Sequence, residues 1–209
     1  EVENDSEEIS LDAAHQIHPH YQVGDQVDIE VTPRKFGRIA AQTAKQVVVQ
    51  RIREAERGSI YNEYVEKENE ILTAIIDRIE GKQVIVDLGH TQGLLDESNQ
   101  MPGEEYHIND RIKVYVLEVQ RQLKGPQVLV SRIHPGLIKR LFEIEVPEIR
   151  DGIVLIKSIA REAGFRTKMA VTSTDPMVDP VGSCVGPRGM RVENVVNELK
   201  DEKIDIIKW

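Results

Sequence analysis

The chain has 209 residues, 40% hydrophobic and only 4% aromatic, with a formal net charge of −9 and a single cysteine. This composition gives room for one to three packed domains and excludes a disordered chain, a disulfide-stapled mini-protein and, for want of a long apolar run, a transmembrane helix. Residues 1–33 hold nine acids and no Lys or Arg, while residues 34–209 hold 27 acids and 27 bases, so a strongly basic nucleic-acid binder is excluded but local cationic patches are not.

Residues 1–24 are acidic and aperiodic and read as a solvated loop. His15, His18 and His20 lie close together in HQIHPH, yet no Cys or second His cluster completes a metal site. No signal peptide is visible, and a start at Glu1 rather than Met is expected of an excised fragment. DQVDIEVT alternates Val27, Ile29 and Val31 with Asp28, Glu30 and Thr32, which predicts a half-buried strand. Residues 33–57 predict a long helix with Ala41, Ala44, Val48, Ile52 and Ala55 as its buried stripe and Gly58 as its break. Arg34, Lys35, Arg38 and Lys45 gather near its start against the helix dipole, which suits either a solvated face or a partner surface. A polar linker helix is expected over 59–69.

Residues 70–133 change character. EILTAIIDRIEG, KQVIVDLG, TQGLLDES, RIKVYVLEVQ and PQVLVSR are five β-like runs separated by turn signals, which fit a small closed barrel of OB type. Such barrels bind single-stranded nucleic acid through stacking aromatics and a cationic groove. Here the only aromatics are Tyr106 and Tyr115, so base stacking is expected to be minor. Residues 134–209 then read α-β-β-α-α-β. Leu137, Ile138, Leu141 and Phe142 mark the first helix, and VLIKSIARE and KMAVTST mark two strands. Two short helices and a closing strand with Ile204 and Ile206 follow.

The two short helices flank Gly186-Pro187-Arg188-Gly189. Asp179 is placed to cap the first helix, with Pro180 at its first position. Cys184, between Val181 and Val185, reads as a buried small hydrophobe, consistent with a reducing compartment. Two glycines without Cβ let a phosphate backbone approach, and the next helix points its positive dipole end at the same spot. Arg188 projects from the tip. Arg191 sits in the first turn of that helix, poorly placed for helix stability and well placed for an anion. Lys168, on the strand before the turn, is a further candidate, with that strand as the edge that reads bases. A bare Gly-x-x-Gly can also simply join two packed helices, but in this context it is the signature of a KH-type RNA-binding module.

TPRKFGRIAAQTAKQVVVQRIREAERG, HPGLIKRLFEIEVPEI, SIAREAG and DPVGSCVGPRGMRVENVVNELKDEKIDI closely resemble the bacterial NusA family, over nearly the whole chain. The resemblance implies an α+β multidomain protein. Residues 1–69 would be the C-terminal part of an α/β domain that docks on RNA polymerase and carries the long helix. Residues 70–133 would be a five-stranded S1-type OB barrel, and residues 134–209 a type II KH domain, the first of two. It further implies a non-catalytic, cytoplasmic, monomeric factor without a cofactor. Such a factor binds nascent single-stranded RNA and RNA polymerase to regulate pausing, elongation, termination and antitermination. The RNA-clamp role passes to Gly186, Pro187, Arg188 and Gly189; Arg191 and Lys168 are added on charge and position alone. Measured against the resemblance, the start of the polymerase-binding domain and the second KH domain are expected to fall outside this sequence, and the barrel lacks the common S1 aromatics. An RNA-processing enzyme built from the same modules is a competing reading, but there KH precedes the barrel, and no paired acids, P-loop or nucleophile–base set is present. A purely protein-binding role is the third.

Overall fold

The computed structural model describes residues 8–29, 34–122 and 125–209, the side chains of 34–36 excepted. The chain divides into two compact units, Glu1–Arg51 and Ile52–Trp209.

In the first unit the expected loop contains a helix, α1 (Leu11–Ile17). The Ser10 hydroxyl caps it by accepting from the Ala13 N–H at 3.3 Å, and Asp12 lies in its first turn. Two turns are too few to display a period, so only the cap betrays it. The His15 ring nitrogen Nε2 lies 2.8 Å from the Tyr21 carbonyl oxygen, and the His18 and His20 rings are 5.5 Å apart. Among the described residues no group of His, Cys, Asp or Glu could hold a metal ion. The strand expected over 25–32 is absent at 25–29, and the rest of it lies outside the described residues.

Helix α2 (Arg34–Val65) runs through Gly58, so the expected break and the separate linker helix are one continuous element. A mid-helix glycine costs only about 1 kcal/mol relative to Ala. Beyond it, Ile60, Tyr61, Tyr64 and Val65 pack against the barrel core and offset that cost. The stripe expected to be buried is exposed instead, with Val48 at 56% and Ile52 at 53%.

Five strands form a closed barrel: β1 (Ile71–Glu80), β2 (Gln83–Asp87), β3 (Gln92–Leu95), β4 (Arg111–Gln122) and β5 (Gly125–Ser131), ordered β1-β2-β3-β5-β4. All pairs are antiparallel except β3–β5, which closes the barrel in parallel. Register shifts at 76–78 and 116–118 bend β1 and β4, as bulges do where a sheet must curl. Alternate residues Ala74, Ile76, Val84, Val86, Val114, Val116, Val128 and Val130 fill the interior. Tyr64 joins them and donates its hydroxyl to the Leu88 carbonyl at 2.8 Å.

The remaining elements are α3 (Pro135–Glu145), a single turn α4 (Pro147–Arg150), β6 (Val154–Glu162), β7 (Arg166–Ser173), α5 (Pro180–Val185), α6 (Met190–Glu198) and β8 (Lys203–Lys208). The sheet order is β6-β7-β8, with β6–β7 antiparallel and β7–β8 parallel. This is the type II KH arrangement. Met169 and Val171 of β7 face a core shared with Leu137, Ile138, Phe142, Cys184, Val195 and Leu199 of the helices.

Barrel and KH layers meet over polar and aromatic contacts. Tyr115 of β4 belongs to the KH core and stacks on the His134 ring, 4.5 Å away and 13° from parallel. The His134 Nδ1 accepts from the Gly136 N–H at 3.0 Å, capping α3. A Cβ on Gly136 would lie 2.5 Å from the Tyr115 ring. Gly136→Ala is therefore expected to lower stability by about 1–3 kcal/mol through overpacking, read as a lower urea midpoint at unchanged slope.

Two arginines with buried side chains link these layers. Arg132 bonds both Glu104 oxygens, the Glu198 carboxylate at 3.1 Å, and the carbonyls of Glu198 at 3.0 Å and Lys113 at 2.8 Å. Arg161 pairs with Glu202 at 2.8 Å and donates to the His134 carbonyl at 3.0 Å. Glu202 also accepts from the Thr167 hydroxyl at 2.6 Å and the Gly164 N–H at 2.9 Å.

Candidate nucleic-acid interface

Asp179 accepts from the N–H groups of Val181 at 3.2 Å and Gly182 at 3.1 Å, so α5 starts where its cap and Pro180 require. Cys184 is buried and burial pushes its thiol up to about 11, which makes it packing rather than a nucleophile. The helix stops at Gly186, whose φ of 75° and ψ of 175° only glycine adopts readily. Arg188 follows in the left-handed region (φ 55°, ψ 23°), then Gly189 at φ 78°, and α6 begins at once. Holding a non-glycine residue left-handed costs roughly 1–2 kcal/mol, a strain typical of binding turns.

Arg188 is exposed at the tip, and its guanidinium bonds no side chain or backbone group among the described residues. Its guanidinium has the fork geometry that matches a phosphate, and the α6 dipole end lies beside it. The two glycines serve different ends. At Gly189 a Cβ would meet open space, so the backbone there is approachable. At Gly186 a Cβ would lie 2.6 Å from Cγ and 2.8 Å from Cδ of Arg191, so that gap is already filled by the protein.

Arg191 is half-buried behind the turn. Its Nη1 donates to Glu148 Oε2 at 2.9 Å and to the Ser183 carbonyl at 2.6 Å. The structure thus gathers Gly186, Pro187, Arg188, Gly189 and Arg191, but not Lys168. That lysine is exposed in the middle of β7, bridged by pairing to Ala160 on one side and Asp205 on the other. Its neighbours Thr167 and Met169 are buried toward the helices, so alternation turns Lys168 to the opposite face of the sheet. Because β7 is central, it cannot be the base-reading edge. The edge beside the helices is β8, whose Ile204 and Ile206 pack in one cluster with Val181 of α5 and Val192 of α6. The strand order that decides this is set by a two-helix crossover, which residue patterns alone do not reveal.

The barrel offers little for bases. Tyr115 is buried under His134, and the Tyr106 hydroxyl accepts from the Met101 N–H and donates to Glu104 at 2.8 Å. Of the barrel's surface cations, Arg78 pairs with Asp77 and Glu80 and Lys82 with Glu97 at 2.8 Å, while Lys113 Nζ donates to the Thr73 hydroxyl at 2.8 Å and Arg121 lies over the Tyr61 ring, 4.2 Å from its centroid. Among the described residues no helix is long and apolar enough to cross a membrane.

Comparison with known proteins agrees with this geometry. Residues 1–58 match the NusA N-terminal domain, residues 66–131 the S1 RNA binding domain, and residues 132–209 the NusA-like first KH domain. The chain is 61% identical over 209 residues to the transcription termination/antitermination protein NusA of Bacillus subtilis, covering 100% of this chain and 56% of that relative. It is 60% identical over 202 residues to the protein of the same name from Halalkalibacterium halodurans, covering 97% of this chain and 53% of the relative. The match to that of Thermus thermophilus is 47% identical, covering 100% and 54%. The chain therefore spans about half the length of these relatives.

Proposed function

Because the chain belongs to the NusA family, with that family's N-terminal, S1 and first KH domains in order, we propose that it is an RNA-holding part of a transcription termination/antitermination factor. Its ligand is nascent single-stranded RNA, and RNA polymerase is its protein partner. It acts in the cytoplasm as a monomer and binds rather than catalyses. The observation that carries this reading is Arg188: an exposed guanidinium with no partner among the described residues, held in a preset left-handed turn between two glycines. Gly186 and Gly189 fix the turn, Pro187 stiffens it, and Arg188 takes a phosphate. Lys168, on the far face of the sheet, is outside this contact. The barrel, with Arg78 and Lys82 paired to acids and its tyrosines engaged, serves mainly as a spacer for the KH turn.

Arg188→Glu is expected to weaken binding of a fluorescent single-stranded RNA by at least roughly 10-fold, the worth of a charged hydrogen bond. The unfolding free energy should stay within about 0.5 kcal/mol of wild type, as for an exposed site. The slope of log affinity against log salt should shrink by about 0.7 per phosphate lost. Undiminished affinity in this variant would sink the assignment.

A further inference from the structure

We infer that Arg191 is a positioning residue for the RNA-binding turn rather than a phosphate ligand, and that Glu148 is its indispensable partner. The inference rests on the KH turn being the RNA contact. Three observations converge. The methylenes of Arg191 occupy the space a Gly186 side chain would fill, so the stem of Arg191 is the floor on which the first glycine lies. Its Nη1 bonds the Ser183 carbonyl at 2.6 Å, one of the carbonyls that end α5. The same nitrogen reaches Glu148 at 2.9 Å, on the single turn α4, 43 residues away in the chain. One side chain therefore ties together the last turn of α5, the first turn of α6 and a point on α4. Between Ser183 and Arg191 lie only Cys184 to Met190, the whole of the turn among them.

A cation at the start of a helix opposes the dipole. Here the Glu148 carboxylate offsets that repulsion inside the protein, so no external anion is needed to explain the arginine. Arg188, two residues before Met190 opens α6, has no such partner among the described residues and remains available to RNA.

The two roles predict opposite signs for one substitution. Glu148→Gln removes a negative charge near the RNA. If Arg191 were a ligand, freeing it would strengthen binding. As a brace it loses the counter-charge that anchors it and keeps at best a neutral acceptor, so affinity should fall by roughly 3- to 10-fold, the difference between a charged and a neutral hydrogen bond. Arg191→Gln should weaken binding similarly while leaving the salt slope unchanged, whereas Arg188→Glu flattens it. Arg191→Lys should recover only part of the loss, since an ammonium lacks the planar fork. In the RNA-free chain, the ¹⁵N amide signals of Gly186 and Gly189 should shift in both Glu148→Gln and Arg191→Gln. Tighter RNA binding by Glu148→Gln, a reduced salt slope in Arg191→Gln, or unmoved glycine amides would each overturn the inference. Failure of Arg188→Glu to weaken binding would instead remove the clamp reading, and the amide shifts would still decide whether Arg191 braces the turn.

Discussion

Arg132→Met is expected to destabilise the Ile52–Trp209 unit by about 3–5 kcal/mol. The side chain is fully buried and holds two oxygens of Glu104, the Glu198 carboxylate and two backbone carbonyls. Glu104 is itself 1% exposed. Removing the arginine strands that carboxylate out of water, which costs far more than the net worth of the pair. The companion variant Arg132→Met/Glu104→Gln should recover part of the loss, because it removes the orphaned charge as well. Urea unfolding of wild type, the two singles and the double closes a cycle whose interaction energy should exceed roughly 1 kcal/mol. Additive losses would mean that Arg132 and Glu104 do not depend on each other.

Glu202→Gln should be nearly as damaging, again about 3–5 kcal/mol. Every group around this carboxylate is a donor: Arg161, the Thr167 hydroxyl and the Gly164 N–H. An amide replaces one acceptor oxygen with another donor, so at least one of them must face a like partner, and Arg161, 1% exposed, keeps an uncompensated charge. Acid provides a second readout. Burial pushes the Glu202 carboxyl up, but its bonds with Arg161, Thr167 and the Gly164 N–H outweigh burial and hold it below its ordinary value of 4.5. The folded state therefore binds this proton less readily than the unfolded chain. The stability it contributes is fully present above the ordinary value and is lost as pH falls through the lower folded one. The variant should show a shallower loss of stability on acidification in that window. An unchanged acid limb would remove Glu202 from its cause.

The barrel is legible in the sequence because each of its runs alternates. KQVIVDLG and PQVLVSR place a valine at every second position, facing the interior, and β2 and β5 lie where that pattern puts them. Its parallel closure through β3 and β5 is not legible, since it pairs segments that no hairpin turn joins. The helix–turn–helix around Gly186 follows from Asp179, Pro180 and the glycines, all local signals. Sequence and structure part where distant partners decide. Gly58 stays helical because Tyr61 and Tyr64 find the barrel. Lys168 reads as an edge residue from chain order, which says nothing of β8 pairing beyond it. Arg191 reads as an unanswered charge because its answer, Glu148, belongs to a one-turn helix that carries no period of its own.

The sheet order β6-β7-β8 has a consequence for synthesis. The strand that completes the KH sheet is the last of the three to leave the ribosome, and it follows directly on Glu202, the carboxylate that Arg161 requires. At about 5–20 residues per second, translation from the end of β7 to the start of β8 takes a few seconds. During that interval the barrel strands are all available, whereas Arg161 lacks its counter-ion and β7 shows an unpaired edge. A nascent chain paused inside this window would present the edge most open to mispairing, next to a finished barrel.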